Sequence, residues 1–184
     1  MQGMYAVNDD QRAILETVRR FSQEFVAPRV AELDANKDPL DCFSWEIIEK
    51  SHELGIRTMT LEEKWGGLGM DSLTTAMVVE ELAKVDLGTS VVLAQTFKIA
   101  QIMQLALNDE QKQRVLPAFA ADPRGVLAIG MTEPGNGSDK YLAFPVPFQT
   151  KAVKTDGGWV LNGMKQFISN GNRASVYLVF AQTD

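Results

Sequence analysis

The spacing of apolar residues changes once along this chain, near Arg124, and that change limits the folds open to it. Before it, apolar side chains recur every three or four residues, which is the period of an amphipathic helix. The clearest such set is Ile14, Val18, Phe21 and Phe25. After it, short apolar runs alternate with glycine turns, as in β-strands. The sequence therefore predicts an α+β protein, with an all-α domain over residues 1–122 and a β domain over 123–184.

Residues that start and stop helices subdivide the first part. Ser44 and Asn108 precede apolar-periodic segments and are typical N-caps. Gly55 follows one such segment and predicts a left-handed stop. Proline lacks an N–H, so we expect Pro28 to kink or end the first helix and Pro117 to interrupt the last. Between them, "SLTTAMVVEELAKVD" predicts an amphipathic helix, and "GTSVVLAQTFKIAQIMQLAL" is apolar almost all round, which favours a buried helix.

Five short segments of the second part predict strands: "GVLAIGM", "FQTKAVKT", "GGWVLNG", "MKQFIS" and "ASVYLVFAQ". The last of these ends just before the final residue. A small sheet needs further strands to cover its edge. We therefore expect this β domain to be an incomplete barrel-like sheet that belongs to a larger assembly.

Composition excludes several classes of function. The net charge is −6 without a Lys/Arg cluster, so nucleic acid is an unsuitable partner. No apolar run reaches the roughly 18 residues of a membrane span, and the first residues lack the pattern of a secretion signal. Cys42 alone forms no internal disulfide, which favours a cytoplasmic setting. His52 is the single histidine, so a Ser-His-Asp triad or a His-rich metal site is not predicted.

Two glycine- and asparagine-rich motifs flank predicted strands. The first, "MTEPGNGSD", spans Met131–Asp139, and the second, "LNGMKQFISNG", spans Leu161–Gly171. Each alone is compatible with an ordinary tight turn. Neither is a phosphate-binding Walker loop, because no Gly-Lys-Ser/Thr follows, and neither has the third glycine of a dinucleotide-binding fingerprint.

Together the two motifs resemble those of the acyl-CoA dehydrogenase family. "EKWGGLGMDSLTTAMVVEELAKVD" and "NDEQKQRVLPAFA" are similar to two further segments of that family, in the same order. The resemblance covers essentially the whole chain. It implies an N-terminal helical domain and a middle β domain here. The family's C-terminal four-helix domain is absent from this sequence.

The resemblance also implies a flavin site in the β domain, with FAD as cofactor. By position, the first motif lines the pyrimidine edge of the flavin and the second supplies an aromatic wall and a hydroxyl near N5. Phe167 stands where the family often has Trp, and Ser169 where it often has Thr. The residues so assigned to FAD are Ile129, Met131, Thr132, Phe167, Ile168 and Ser169. Glu133 and Asp139 are interpreted as stabilising the turn.

Substrate contacts are assigned to two residues. Ser138 matches a family position near the CoA moiety. Lys98 is a charge inside an otherwise apolar helix, and it is either a solvent-facing lysine or a partner for a polar acyl group. The segment "DKYLAFPVPFQTKA" is longer than its family counterpart, and it is either a surface loop or a cover over the pantetheine channel.

The activity implied by the resemblance is the α,β-dehydrogenation of an acyl-CoA to the trans-2-enoyl-CoA. Its expected partners are an acyl-CoA substrate, an electron-transfer flavoprotein and further copies of the chain, as a dimer or tetramer. The family's catalytic glutamate lies in the absent domain, so we expect no catalytic residue here and an inactive isolated chain. An acyl-CoA oxidase, a flavin monooxygenase of the same fold and a non-catalytic fragment remain alternatives.

Overall fold

A computed structural model describes residues 7–137 and 146–183 of this chain. Its contacts divide the chain into two compact units, and the division falls between Gly125 and Val126. The first unit is helical and the second contains all four described strands. The protein is thus an α-helical region followed by a smaller β region, which confirms the predicted fold class.

In the part of the first unit that the structure describes there are six α-helices, one π-helical segment and one 3₁₀ segment. The α-helices are α1 (Asp9–Arg20), α2 (Ala27–Ala35), α3 (Trp45–Glu53), α4 (Ser72–Ala83), α5 (Leu87–Ala106) and α6 (Asp109–Ala121), the π-helix is Phe21–Val26 and the 3₁₀ turn is Glu63–Trp65.

The predicted helix caps are confirmed. The Ser44 hydroxyl accepts a hydrogen bond from the Ile47 N–H at 3.3 Å at the start of α3. The side chain of Asn108 accepts from the Gln111 N–H at 2.9 Å before α6. Such bonds satisfy N–H groups that lack a partner within the helix. Gly55 follows α3 with φ of +71°, the left-handed conformation that glycine adopts without a steric penalty.

The two helical prolines behave differently. Before Pro28 the regular helix widens into the π-helical segment, where the Ala27 N–H donates to the Ser22 carbonyl five residues back. This interruption was predicted, because proline displaces the carbonyl four residues earlier. The predicted interruption at Pro117 was wrong, since α6 continues through it. The remaining hydrogen bonds of a 13-residue helix tolerate one missing donor.

The core of the helical unit lies along α5, which packs against α4. Leu93, Phe97 and Ala100 are fully buried there. The predicted burial of this helix is confirmed for these residues, whereas Leu105 near its end is 86% exposed. No helix among the described residues is both long and apolar enough to cross a membrane.

The β unit consists of two separate two-stranded sheets among its described residues. Strands β1 (Leu127–Gly130) and β4 (Val176–Val179) pair in parallel, and β2 (Lys151–Thr155) and β3 (Gly158–Asn162) form an antiparallel hairpin. An isolated bridge from Lys151 to Gln182 adds one further link. The described ranges contain no closed barrel.

The predicted strand "MKQFIS" was wrong, because residues 164–169 form no strand. Phe167 has φ of +57°, which breaks the extended conformation. The side chain of Lys165 and the backbone N–H of Gln166 bond to the loop after β1 instead of to a sheet neighbour. Tertiary hydrogen bonds therefore overrode the local strand preference.

Candidate functional site

The two glycine-rich motifs meet in the β unit through hydrogen bonds at the end of β1. The Gln166 N–H donates to the Thr132 carbonyl at 3.0 Å. The Gln166 side chain donates to the Glu133 carbonyl at 3.3 Å. The ammonium of Lys165 donates to the Met131 carbonyl at 3.1 Å. Three consecutive carbonyls of the first motif are therefore bound by two consecutive residues of the second.

Glu133 lies at the centre of this junction. Its backbone forms a tight two-way bridge with Asn136, with N···O distances of 2.9 and 3.0 Å. Its carboxylate accepts hydrogen bonds from the backbone N–H of Gln149 at 2.7 Å and of Thr150 at 2.8 Å, and an ion pair from Lys165 at 2.8 Å. Its side chain is 1% exposed. The interpretation of Glu133 as a residue that stabilises the turn agrees with these contacts.

The electrostatics of Glu133 follow from those contacts. Burial by itself raises the pKa of the Glu133 carboxyl, but the hydrogen bonds from Lys165 and from the two backbone amides outweigh it and lower the pKa to about 2. The carboxylate is charged at neutral pH and its oxygens are occupied by donors. Glu133 is therefore unsuited to act as a catalytic base.

Two features bring the second motif close to the segment that leads into β2. Gly163 has φ of +154°, and a Cβ there would lie 2.5 Å from the Thr150 Cα, so only glycine fits. Lys165 then packs its ammonium 4.2 Å from the centre of the Phe148 ring, a cation–π distance. The buried ammonium thus has an anion, a carbonyl and an aromatic face around it.

The end of the second motif forms a turn in which an aromatic side chain is exposed. The Gly171 N–H donates to the Ile168 carbonyl at 2.9 Å, and the Asn170 side chain donates to the Leu127 carbonyl of β1 at 3.0 Å. Phe167 precedes this turn and is 87% exposed. A large apolar ring held outward by a left-handed backbone is available to a ligand or to a partner surface.

The predicted cofactor residues occupy two adjoining stretches of the β unit. Ile129 lies in β1 opposite Leu178. Met131 and Thr132 follow β1 directly and are half-buried. The backbone bond between Thr132 and Gln166 brings them next to the stretch that contains the other three predicted residues, Phe167, Ile168 and Ser169.

Thr132 carries two hydrogen-bond donors, its backbone N–H and its hydroxyl. In the ranges that the structure describes, no hydrogen bond involves its backbone N–H or its hydroxyl. Two donors in the first motif and an exposed aromatic ring in the second match what the polar edge and the face of a flat heteroaromatic ring require.

The two predicted substrate residues are Ser138 and Lys98. Ser138 lies outside the described residues, as does Tyr141 in the segment after the first motif. Lys98 belongs to the helical unit, where its side chain is exposed between the fully buried Phe97 and Ile99. Among the described residues, no cluster of three or more His, Cys, Asp or Glu side chains is placed to hold a metal.

Sequence reasoning missed Lys165 and the two amides that bind Glu133. A signal was present, because the first motif contains a glutamate, Glu133, and the second a lysine of opposite charge, Lys165. Periodicity could not reveal the pairing, since the two residues are 32 positions apart and neither belongs to a regular element. Gln149 and Thr150 contribute backbone N–H groups, and the identity of their side chains does not predict this role.

Comparison with known proteins identifies the fold family. Residues 8–122 match the sequence profile of the acyl-CoA dehydrogenase N-terminal domain, and residues 128–184 match that of the middle domain. The chain belongs to the acyl-CoA dehydrogenase family. A relative from Caenorhabditis briggsae, the probable medium-chain specific acyl-CoA dehydrogenase 2 of mitochondria, is 33% identical over 98% of this chain and 42% of its own length.

Two solved structures of acyl-CoA dehydrogenases also match. Butyryl-CoA dehydrogenase from Megasphaera elsdenii is 35% identical with a TM-score of 0.81, over 96% of this chain and 45% of that protein. Acyl-CoA dehydrogenase complexed with FAD from Bacillus anthracis is 29% identical with a TM-score of 0.80, over 95% of this chain and 29% of that protein. The chain thus spans less than half the length of each of these relatives.

Proposed function

We propose that this chain forms the FAD- and substrate-binding part of an enzyme that converts an acyl-CoA to the trans-2-enoyl-CoA. The helical domain is proposed to span residues 1–122 and the β domain residues 123–184, with the flavin bound by the β domain. The observation that supports it is the junction of the two motifs, in which Thr132 bonds to Gln166, the residue before the exposed Phe167. FAD, which is bound to the Bacillus anthracis relative, has a ring system with a polar edge and an apolar face.

The residues at the junction fit a flavin in three respects. Met131 and Thr132 offer backbone and a hydroxyl for the polar pyrimidine edge. Phe167 offers an apolar face for the ring system. Ser169 is the second hydroxyl, assigned to N5. When bound, the flavin supplies the electron sink that amino acid side chains lack, and accepts the hydride that leaves the β carbon of the substrate.

The α-proton base is proposed to lie outside this sequence. Glu133 is the carboxylate nearest to the assigned residues along the chain, and its pKa of about 2 and its three donors exclude it from that role. The β domain is therefore proposed to bind and orient the flavin and the acyl-CoA, and a carboxylate other than Glu133 is proposed to remove the proton. An electron-transfer flavoprotein is the proposed electron acceptor, and the complete enzyme is proposed to be a homo-oligomer.

Titration of the 184-residue chain with FAD, followed by flavin fluorescence and visible absorbance, tests the proposal. Phe167→Ala should weaken binding by about tenfold or more, because it removes an aromatic contact of the ring. Trp159→Ala is the matched control, since it removes an aromatic side chain from the same unit that is 56% exposed and is not assigned to the site. Equal losses in the two variants, or no binding by the parent chain, would contradict the proposal.

Lys98 is proposed to contact the acyl group if the substrate carries a charge there. The test compares the binding of glutaryl-CoA and butyryl-CoA to the FAD-loaded chain before and after Lys98→Met. We expect the variant to lose preference for the acidic acyl group, because the ammonium is its proposed partner. An unchanged ratio would leave Lys98 as an ordinary exposed lysine.

A further inference from the structure

Among their described residues, the first motif carries a buried charge and the second a largely buried one, and the two charges are paired. Glu133 and Lys165 meet at 2.8 Å, with side chains that are 1% and 12% exposed. A buried ion pair contributes little net stability, because the removal of both charges from water costs about as much as their attraction returns. Its geometry is nevertheless rigid, since every remaining lone pair and proton must be satisfied locally.

This pair holds the peptide between Met131 and Thr132. The Lys165 ammonium also donates to the Met131 carbonyl at 3.1 Å. A trans peptide sets its N–H opposite to its C=O, so the Thr132 N–H points away from Lys165. The Thr132 carbonyl is in turn bound by the Gln166 N–H. Both carbonyls that flank the Thr132 N–H are thereby fixed by the second motif.

We infer that Glu133 and Lys165 are positioning residues, which fix the orientation of the Met131–Thr132 peptide and so keep the Thr132 N–H directed outward before a ligand binds. The inference rests on the proposed function for the identity of that ligand, the polar edge of FAD. Neither residue is expected to touch the flavin. Their contribution is preorganisation, because a donor that is already oriented loses less freedom on binding.

Glu133 positions Lys165 and is itself held by the segment that leads into β2. Gln149 and Thr150 lie directly before β2. Their backbone N–H groups both donate to the Glu133 carboxylate. The chain of contacts therefore extends from the β2 segment through Glu133 and Lys165 to Met131. Neutralising either charge should loosen the Met131–Thr132 peptide without removing any group assigned to the flavin.

Four variants of the 184-residue chain test this inference. Lys165→Met removes the ammonium, Lys165→Arg keeps the charge, and Glu133→Gln removes the negative charge at nearly constant size. Lys154→Met is the matched control, because Lys154 lies exposed on β2 in the same unit and outside the junction. Each variant is assayed for its FAD dissociation constant, for hydrogen exchange of the Gln166, Gln149 and Thr150 amides, and for unfolding in urea.

We expect Lys165→Met and Glu133→Gln to weaken FAD binding by about tenfold at a urea-free condition where every variant is folded. Exchange of the Gln166 amide should quicken in both, since its acceptor on Thr132 becomes mobile. Lys165→Arg should recover most of the affinity, and Lys154→Met should match the parent chain. A purely structural pair would lower stability and leave the FAD dissociation constant of the folded protein unchanged, which would overturn the inference.

The amide exchange separates this inference from the proposed function. If the parent chain binds no FAD, the proposed function fails, and the Gln166 amide decides the positioning role alone. Faster exchange in Lys165→Met but not in Lys154→Met supports the role, and equal exchange overturns it. If Lys165→Met does not fold, the same comparison is made between Glu133→Gln and Lys154→Met.

Discussion

The helical unit buries large apolar side chains along α5, whereas the β unit buries an ion pair and a network of hydrogen bonds. Among the described residues, the buried apolar side chains of the β unit are few, and all but one lie in β1 or directly before it: Val126, Leu127, Ala128 and Ala152. The faces of the β2–β3 hairpin are exposed at Val153, Trp159 and Val160. Apolar burial thus stabilises one unit, and polar contacts define the geometry of the other.

Each unit also contains a cation that is buried or nearly so, and the groups that accept its hydrogen bonds differ between the two units. Arg57 in the helical unit is fully buried and donates to carbonyls at the end of α6, including those of Asp122 and Gly125, both at 2.8 Å. Burial lowers the pKa of Arg57 to about 10, so it remains charged at neutral pH. Helix carbonyls do not titrate, whereas the partner of Lys165 is a carboxylate. Acid should therefore break the contact between Lys165 and Glu133 before those that Arg57 makes with carbonyls.

The largest expected effect is on the apolar core. Phe97→Ala should lower the free energy of unfolding by about 3–5 kcal/mol, because it leaves a cavity among fully buried side chains. Urea unfolding followed by far-UV circular dichroism measures it. Leu105→Ala on the same helix is the control and should change the free energy by less than about 0.5 kcal/mol, since that side chain is exposed. Similar losses in the two variants would contradict the proposed core.

The next effect concerns Arg57. Arg57→Met should cost about 3 kcal/mol, because it leaves the carbonyls of Phe119, Asp122 and Gly125 without their donor in a buried position. The loss should be smaller at pH 5 than at pH 7, because burial and the Arg57 guanidinium, 2.9 Å from the His52 ring, lower the pKa of His52, and the variant removes the second cause. A loss near zero in the same urea measurement would show that water replaces the guanidinium.

Acid should weaken the contacts that Glu133 makes in the β unit. The folded pKa of Glu133 is about 2 against an ordinary value of 4.5, so its ionic contacts stabilise fully above pH 4.5 and are lost as the pH falls toward 2. Glu133→Gln should cost about 2 kcal/mol at pH 6, and the difference from the parent should shrink between pH 4.5 and pH 2. Exchange of the Thr150 amide reports on this unit.

A second carboxyl provides the comparison for that titration. The hydrogen bond from Arg19 lowers the pKa of Glu81 in the helical unit to about 2 as well. Its partner Arg19 is 59% exposed, so the pair is screened by water and salt. Glu81→Gln should therefore reduce stability less than Glu133→Gln at pH 6. The opposite order would contradict the view that the β unit depends on its ion pair.

The smallest expected effect on stability is at Phe167. Phe167→Gly should change the free energy of unfolding by no more than about 1 kcal/mol, because the ring is exposed and glycine tolerates φ of +57°. FAD binding should nevertheless fall, as for Phe167→Ala. A large loss of stability would show that the ring packs within the folded chain instead of serving a ligand.

The sequence by itself determined the order of the two units, the caps at Ser44 and Asn108 and the stop at Gly55. These features depend on residues within one turn of each other, so local chemistry suffices. The two motifs were also visible, since glycine and asparagine mark unusual backbone positions.

Only the tertiary structure decided how the motifs meet. Residues 164–169 look like a strand by composition, yet the bonds from Lys165 and Gln166 to the loop after β1 hold them in an irregular path. The burial of Arg57 was equally invisible, because its acceptors are backbone carbonyls more than 60 positions away. Contacts between distant, non-repeating positions leave no periodic signal, and these contacts shape the candidate site.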